Sequence, residues 1–422
     1  MKKTLLTICL VWMCFSLSAQ KIIDLSGKWS FSIDRQDNGE KEKWFSHTLN
    51  DFINLPGSMP EKLKGDEVTA KTQWTGSLYD SSYYYNPYME KYRKEGNIKF
   101  PFFLTPDKHY VGAAWYQKEV NIPADWKGER ILLFLERPHI ETTVWVNGQK
   151  TGMQNSLCVP HQYDITRYVR PGKCTITIRV DNRIKEINVG PDSHSITDQT
   201  QGNWNGIVGR ICLQTTPKTY FDDIQIYPEP EQKLARVKVV IKGTGTAKVK
   251  LSAESFNTDK KHIVPAIQQE IKLNKGVTET EMVLPMGNDM LLWDKFHPAL
   301  YKLKAEVTNG KKTEIKEIQF GMRRFEIKGK WFYVNGRKTQ LRGTVENCDF
   351  PLTGYAPMDV ESWERVFRIC RNYGLNHMRF HSFCPPEAAF MAADRVGFYL
   401  QPEGQSWPNN GPKVGLPCGT TY

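Results

Sequence analysis

The chain has few cysteines, a single long apolar run and no block of like charge, and each shortage removes a class of protein. Of the nine cysteines, Cys9 and Cys14 fall in the first twenty residues. The other seven, Cys158, Cys174, Cys212, Cys348, Cys370, Cys384 and Cys418, are scattered without CxxC spacing. Odd in number and irregular, they indicate neither a zinc site nor a disulfide framework, and most read as small buried residues. Beyond the N-terminus no stretch approaches the roughly 20 apolar residues of a membrane-spanning helix. The net charge of +11 comes from basic and acidic residues that are interspersed, with no basic arm or stripe, so nucleic-acid binding is disfavoured. A glycine-rich phosphate loop, a nucleophilic-serine elbow and a metalloprotease motif are also missing.

What is present begins at the N-terminus. Lys2 and Lys3 precede an apolar run from Leu5 to Leu17, followed by the small residues Ser18 and Ala19. This order of charge, apolar core and cleavage site reads as a secretory signal over 1–19, with export to the periplasm or the extracellular space. A lipoprotein anchor on Cys14 is disfavoured because Met13 is bulky where a small residue is wanted. Aromatic residues are plentiful, with 12 Trp, 18 Tyr and 20 Phe. They suit either sugar stacking or the filling of β-sandwich cores, and composition favours cores.

From Ile22 to Thr216 short alternating segments are broken by Gly, Pro and Asn. They include Gly27–Ile33, Arg130–Glu136, Thr142–Val146 and Thr175–Val180. Period-two alternation at such spacing predicts a β-sandwich over 20–216. A Tyr-rich, charged insertion occupies about 57–111. A second all-β unit over 217–320, with strands such as Val237–Ile241, Ala247–Ala253 and Tyr301–Val307, has the length of an immunoglobulin-like sandwich.

From residue 321 the pattern changes. A hairpin over Phe325–Arg337 turns at Asn335-Gly336, and Lys338–Arg342 reads as the first buried strand. A helix over Met358–Tyr373 follows, with Asp359 as cap and Gly374 as stop. Asn376–Phe380 is a second strand. A helix then opens at Pro385-Pro386 and stops at Gly397, and Phe398–Gln401 is a third strand. Strand–helix alternation of this kind opens a (β/α)8 TIM barrel, which needs roughly 250 residues to close. The expectation over 321–422 is an incomplete barrel, with Gly404–Tyr422 a long loop after the third strand.

The ordered motifs carry a resemblance. Asp24-Leu25-Ser26-Gly27-Lys28-Trp29, Ala114-Trp115-Tyr116, Val144-Trp145-Val146-Asn147-Gly148, Tyr163-Asp164-Ile165-Thr166, Val180-Asp181-Asn182 and Gly206-Ile207-Val208-Gly209-Arg210 come first. Trp293-Asp294, Pro298-Ala299-Leu300-Tyr301 and Phe320-Gly321-Met322-Arg323 follow. In this order the chain resembles the N-terminal part of glycoside hydrolase family 2, the group of β-galactosidases, β-glucuronidases and β-mannosidases. The barrel segment departs from the family pattern. Arg342-Gly343-Thr344-Val345-Glu346-Asn347 stands where many members carry a basic or histidine-rich motif. In Met378-Arg379-Phe380-His381-Ser382 the His is one position early, and Pro402 replaces the first carboxylate of an acidic pair before Glu403.

The resemblance implies a jelly-roll-like sugar-binding sandwich and a retaining exo-β-glycosidase acting on a glycan. Such enzymes use two carboxylates about 5–5.5 Å apart. It places the acid/base after the fourth barrel strand and the nucleophile after the seventh, both expected beyond Tyr422. No catalytic residue is therefore assigned within 1–422, and the chain alone is expected to be inactive. Glu346 and Glu403 as a catalytic pair are disfavoured on the same ground. Substrate-binding candidates are Arg379, His381, Glu403, Trp407, Asn347 and Glu346. Arg379 orients the missing nucleophile or is structural; Glu403 accepts from a sugar hydroxyl or simply pairs with Arg379. His381 binds a hydroxyl or packs at the barrel mouth, and Trp407 stacks on a sugar or packs its loop. Asn347 and Glu346 are weaker candidates for hydroxyl recognition. Trp29, Trp115 and Trp145 are core. Neither a metal nor a cofactor is expected. The rival reading is a noncatalytic carbohydrate-binding protein using the first sandwich.

Overall fold

The computed structural model describes residues 20–69, 71–76, 85–97, 106–187, 189–190, 193–198, 200 and 202–405. The signal segment 1–19, part of the 57–111 insertion and Trp407 lie outside them. So does most of the expected loop Gly404–Tyr422, of which only Gly404 and Gln405 are described.

The first unit packs two antiparallel sheets face to face. One has the order Ile22–Asp24, Gly206–Thr216, Arg130–His139, His161–Asp164, with Gly57–Ser58 joined to the Gly206–Thr216 strand. The other runs Gln149–Asn155, Glu141–Val146, Gly172–Asp181, Ala113–Ile122, Gly27–Asp34, Asp51–Leu55. Alternation supplies the core between them: Trp29, Phe31, Tyr116, Leu133, Ile176, Ile178 and Leu213 are buried in one cluster. Trp29, Trp115 and Trp145 are all buried, but they do not share one core. Trp115 and Trp145 stack at 5.0 Å in a separate cluster, beneath Trp44, Phe45 and Leu49 of the loop that follows Asp34. The loop thus turns an outward sheet face into a second apolar layer.

The second unit sets the sheet Tyr220–Glu229, Leu234–Lys242, Val277–Pro285 against Ile263–Leu273, Gly245–Phe256, Leu300–Asn309, Lys312–Phe320. Its core holds Val237, Val239, Ile241, Val249, Leu251, Leu303, Ala305 and Val307, the period-two residues of its strands.

The third unit begins with an antiparallel sheet, Phe325–Lys328, Trp331–Val334, Arg337–Thr339. This corrects the expected strand at Lys338–Arg342. Lys338 pairs antiparallel with Tyr333, and the first parallel strand is Gly343–Glu346. Gly343 opens that strand. Here it lets the His377 carbonyl and ring approach, and the carbonyl would lie 3.2 Å from any Cβ. The helices Val360–Asn372 and Glu387–Val396 alternate with the strands His377–Phe380 and Tyr399–Pro402. Asp359 caps the first helix by accepting from the Ser362 N–H at 2.8 Å. Gly397 ends the second in left-handed conformation, φ 76°, under the Lys295 carbonyl. The three strands are parallel, and Met378, Phe380, Phe367, Trp363 and Ala392 fill the layer between sheet and helices.

Trp29 is fully buried and its indole N–H donates to the Leu25 carbonyl at 2.9 Å. Trp29→Ala should lower stability by roughly 3–5 kcal/mol in urea unfolding. Leu352→Ala, at 88 % exposure, should stay within about 0.5 kcal/mol of wild type. Equal losses for the two variants would contradict this core assignment.

Candidate functional site

Strand register brings the candidates to one edge. Glu346, Phe380 and Pro402 are level across the parallel sheet, so the loops leaving their C-terminal ends carry Asn347, His381 and Glu403 side by side. That edge is where residues from different strands meet in parallel α/β folds. Arg379 Nε donates to Glu403 Oε1 at 2.5 Å, and the Ser382 backbone N–H donates to Oε2 at 3.0 Å. Partial burial alone would raise the Glu403 pKa. The Arg379 hydrogen bond, the Ser382 amide and the guanidinium charge outweigh it and hold the carboxyl below the ordinary glutamate value. Ser382 takes φ 55°, which turns its amide onto that carboxylate.

His381 donates its backbone N–H to the Glu346 carbonyl at 2.9 Å. Its ring meets that of His194 edge to face, with centroids 4.3 Å apart. His194 comes from the first sandwich and is buried. Burial, then the neighbouring His381, pulls its pKa down to about 4 against the opposing effects of Asn347 and Glu403, so it is neutral at pH 7. Its neighbours share the work of joining the two units. Ser195 Oγ donates to the Ser382 carbonyl at 2.8 Å and also bonds Gln405 Oε1, while Ser193 Oγ bonds the Gln405 carbonyl. Sequence reasoning missed Ser193, His194 and Ser195. They sit in an irregular stretch with no periodicity, and a lone Ser-His-Ser run far from its partners in the chain carries no local signal.

Glu346 turns away from this cluster. Its Oε1 accepts from the N–H groups of Cys348, at 2.7 Å, and Asp349, at 3.3 Å. Oε2 is buried without a hydrogen-bond partner among the described residues. Burial pushes its pKa up to about 7; the Cys348 and Asp349 amides oppose that, and the Asp349 charge adds to it. Glu346 and Glu403 therefore have separate partners, the first capping its own loop and the second paired with Arg379. Asn347 is half-buried beside His194, and Trp407 lies outside the described residues. Two grooves, of about 610 and 630 Å³, are lined by other side chains. Among the described residues no group of three or more His, Cys, Asp or Glu is arranged to hold a metal. The cluster thus offers guanidinium and imidazole donors and one ionised carboxylate, a set suited to hydroxyl or carboxylate recognition.

Two profiles of one family match in succession. That of the glycosyl hydrolases family 2 sugar binding domain covers residues 22–217, and that of glycosyl hydrolases family 2 covers residues 219–323. The chain belongs to glycoside hydrolase family 2. Similar proteins include the β-glucuronidase of Paenibacillus borealis, 24% identical over 401 residues, which are 90% of this chain and 58% of that protein. The β-galactosidase of Thermoanaerobacter pseudethanolicus is 24% identical over 334 residues, 75% of this chain and 42% of its own length. The fold is also that of a Ruminococcus gnavus β-glucuronidase solved with D-glucaro-d-lactam (TM-score 0.66, 20% identity), matched over 92% of this chain and 60% of that one. The chain thus spans about half the length of the curated relatives it matches.

Glu346 gives a pH test. Its folded pKa of about 7 lies above the ordinary glutamate value of 4.5, so the fold favours the neutral acid. The stability linked to it is complete below pH 4.5 and is lost as pH rises through about 7. Glu346→Gln retains the amide acceptor and abolishes this titration. At pH 8 it should exceed wild type by roughly 2–3 kcal/mol in urea unfolding, the gap closing toward acid pH. Parallel stability–pH profiles for the two proteins would refute the assignment.

Proposed function

We propose that the chain forms the N-terminal portion of an exported, retaining family 2 exo-β-glycosidase, β-galactosidase-like in the broad sense, acting on terminal sugars of glycans. The two consecutive family profiles carry this reading, and the parallel strand–helix–strand–helix–strand segment beyond them supports it. In this reading residues 321–422 begin a TIM barrel, residues 1–19 direct export, and the acid/base and nucleophile stand on later strands, beyond Tyr422. Arg379 holds Glu403 in place at the barrel mouth and orients the nucleophile. His381 and Asn347 contact sugar hydroxyls, Trp407 stacks on a ring, and Glu346 shapes the loop beneath them.

The purified 1–422 polypeptide should show no turnover of aryl β-galactosides, β-glucuronides or β-mannosides. Robust hydrolysis of any of them, abolished by Glu403→Gln, would place the catalytic carboxylates inside these residues and overturn the proposal.

A further inference from the structure

At the junction of the two sandwiches lies a groove of about 630 Å³ that the glycosidase reading does not use. Its floor is the end of the first sandwich's core, with Ile122, Trp126, Ile131 and Val169 all buried. Its rim carries four cations, Lys127, Arg130, Arg170 and Lys218, and two acids, Glu129 and Asp164. Both acids are already neutralised. Asp164 accepts from Arg130 Nε at 2.8 Å, and Glu129 pairs with Lys312 of the second sandwich at 2.6 Å. Arg130 also stacks over Tyr220, 4.3 Å from its ring centre, which fixes the guanidinium in place. Arg170 is bonded only to main-chain carbonyls, those of Val169 and Arg167, among the described residues. Lys127 and Lys218 make no ion pair among the described residues, and both are exposed. Three cations therefore face the groove uncompensated. They lie on three separate segments: the turn before the Arg130–His139 strand, the loop before the Gly172–Asp181 strand, and the linker into the second sandwich.

We propose that this groove is a noncatalytic site for an anionic oligosaccharide, one bearing uronate carboxylates or sulfate esters. The charge is one-sided, and Lys127 and Arg170 bring aliphatic stems to the lining, so a sugar ring can rest against those stems while its anion meets nitrogen. A nucleic acid is less suited, because Trp126 is buried and offers no face for a base to stack on. The groove is lined entirely by the first sandwich and the linker that follows it, so it forms without any further barrel strand. The choice of a sugar as ligand rests on the glycosidase reading, and the anionic preference rests on the groove alone.

The test is calorimetric titration of the full chain with three hexasaccharides: polygalacturonate (uronate only), heparin (sulfate-rich) and cellulose-derived (neutral). Either or both anionic probes should bind, with affinity falling as salt rises from about 50 to about 500 mM, and the neutral probe should not. Lys127→Glu/Lys218→Glu should weaken that binding about tenfold or more while leaving the thermal transition in place. Binding of the neutral probe as tightly as the anionic ones overturns the proposal, as does binding by none of them, or a double variant that binds like wild type. Tighter binding of a single-stranded DNA of equal charge would reassign the groove to nucleic acid. None of these readouts needs turnover, so a failure of the glycosidase reading is detected separately, by hydrolysis assays.

Discussion

The three parallel strands and two helices are held to the rest of the molecule by side chains of both sandwiches that donate hydrogen bonds to their main-chain carbonyls. From the first, Arg137 donates one arm to the Cys384 carbonyl and the other to that of Cys158, both at 3.2 Å, tying its own domain to the loop after the second parallel strand. Ser195 takes the Ser382 carbonyl and Ser58 takes that of Thr353 at 2.6 Å. From the second, the Trp293 indole donates to the Asp394 carbonyl at 2.7 Å and Asn257 to that of Arg395 at 2.9 Å. Loop and helix-end carbonyls thereby gain side-chain partners, and each such bond fixes one donor against one acceptor.

The same contacts set the candidate site. The loops after the second and third strands are positioned by Ser193 and Ser195, and those loops carry His381 and Glu403. Edge-to-face contact with the neutral His194 then orients the His381 ring without adding charge beside Arg379. A site assembled in this way belongs to two domains. Loss of the sandwich segment would disturb it even with every strand residue intact.

Much of the fold was legible because its signals are local. Alternation in Thr175–Val180 or Val237–Ile241 marks a half-buried strand whatever its neighbours. Asp359, Gly374 and Gly397 punctuate the helices through backbone chemistry that depends only on adjacent residues. The misplaced strand at Lys338–Arg342 shows the limit of such reading. Its pattern is equally compatible with a hairpin strand, and Gly343 is tolerated in the next strand only because His377 approaches closely. The approach of His377 is a tertiary fact.

The amino-acid sequence by itself determined the order of sandwich, sandwich and parallel unit, the family, and the presence of Arg379, His381 and Glu403 around strand ends, since motif spacing and periodicity are properties of the chain. Only the tertiary structure decided that Arg379 is bonded to Glu403, that Glu346 folds back onto the Cys348 and Asp349 amides, that Trp115 and Trp145 form a second layer, and that His194 joins His381. Each of these outcomes depends on which groups remain unsatisfied when distant segments meet, and hydrogen-bond partners in a buried site are settled by that encounter and not by residue type.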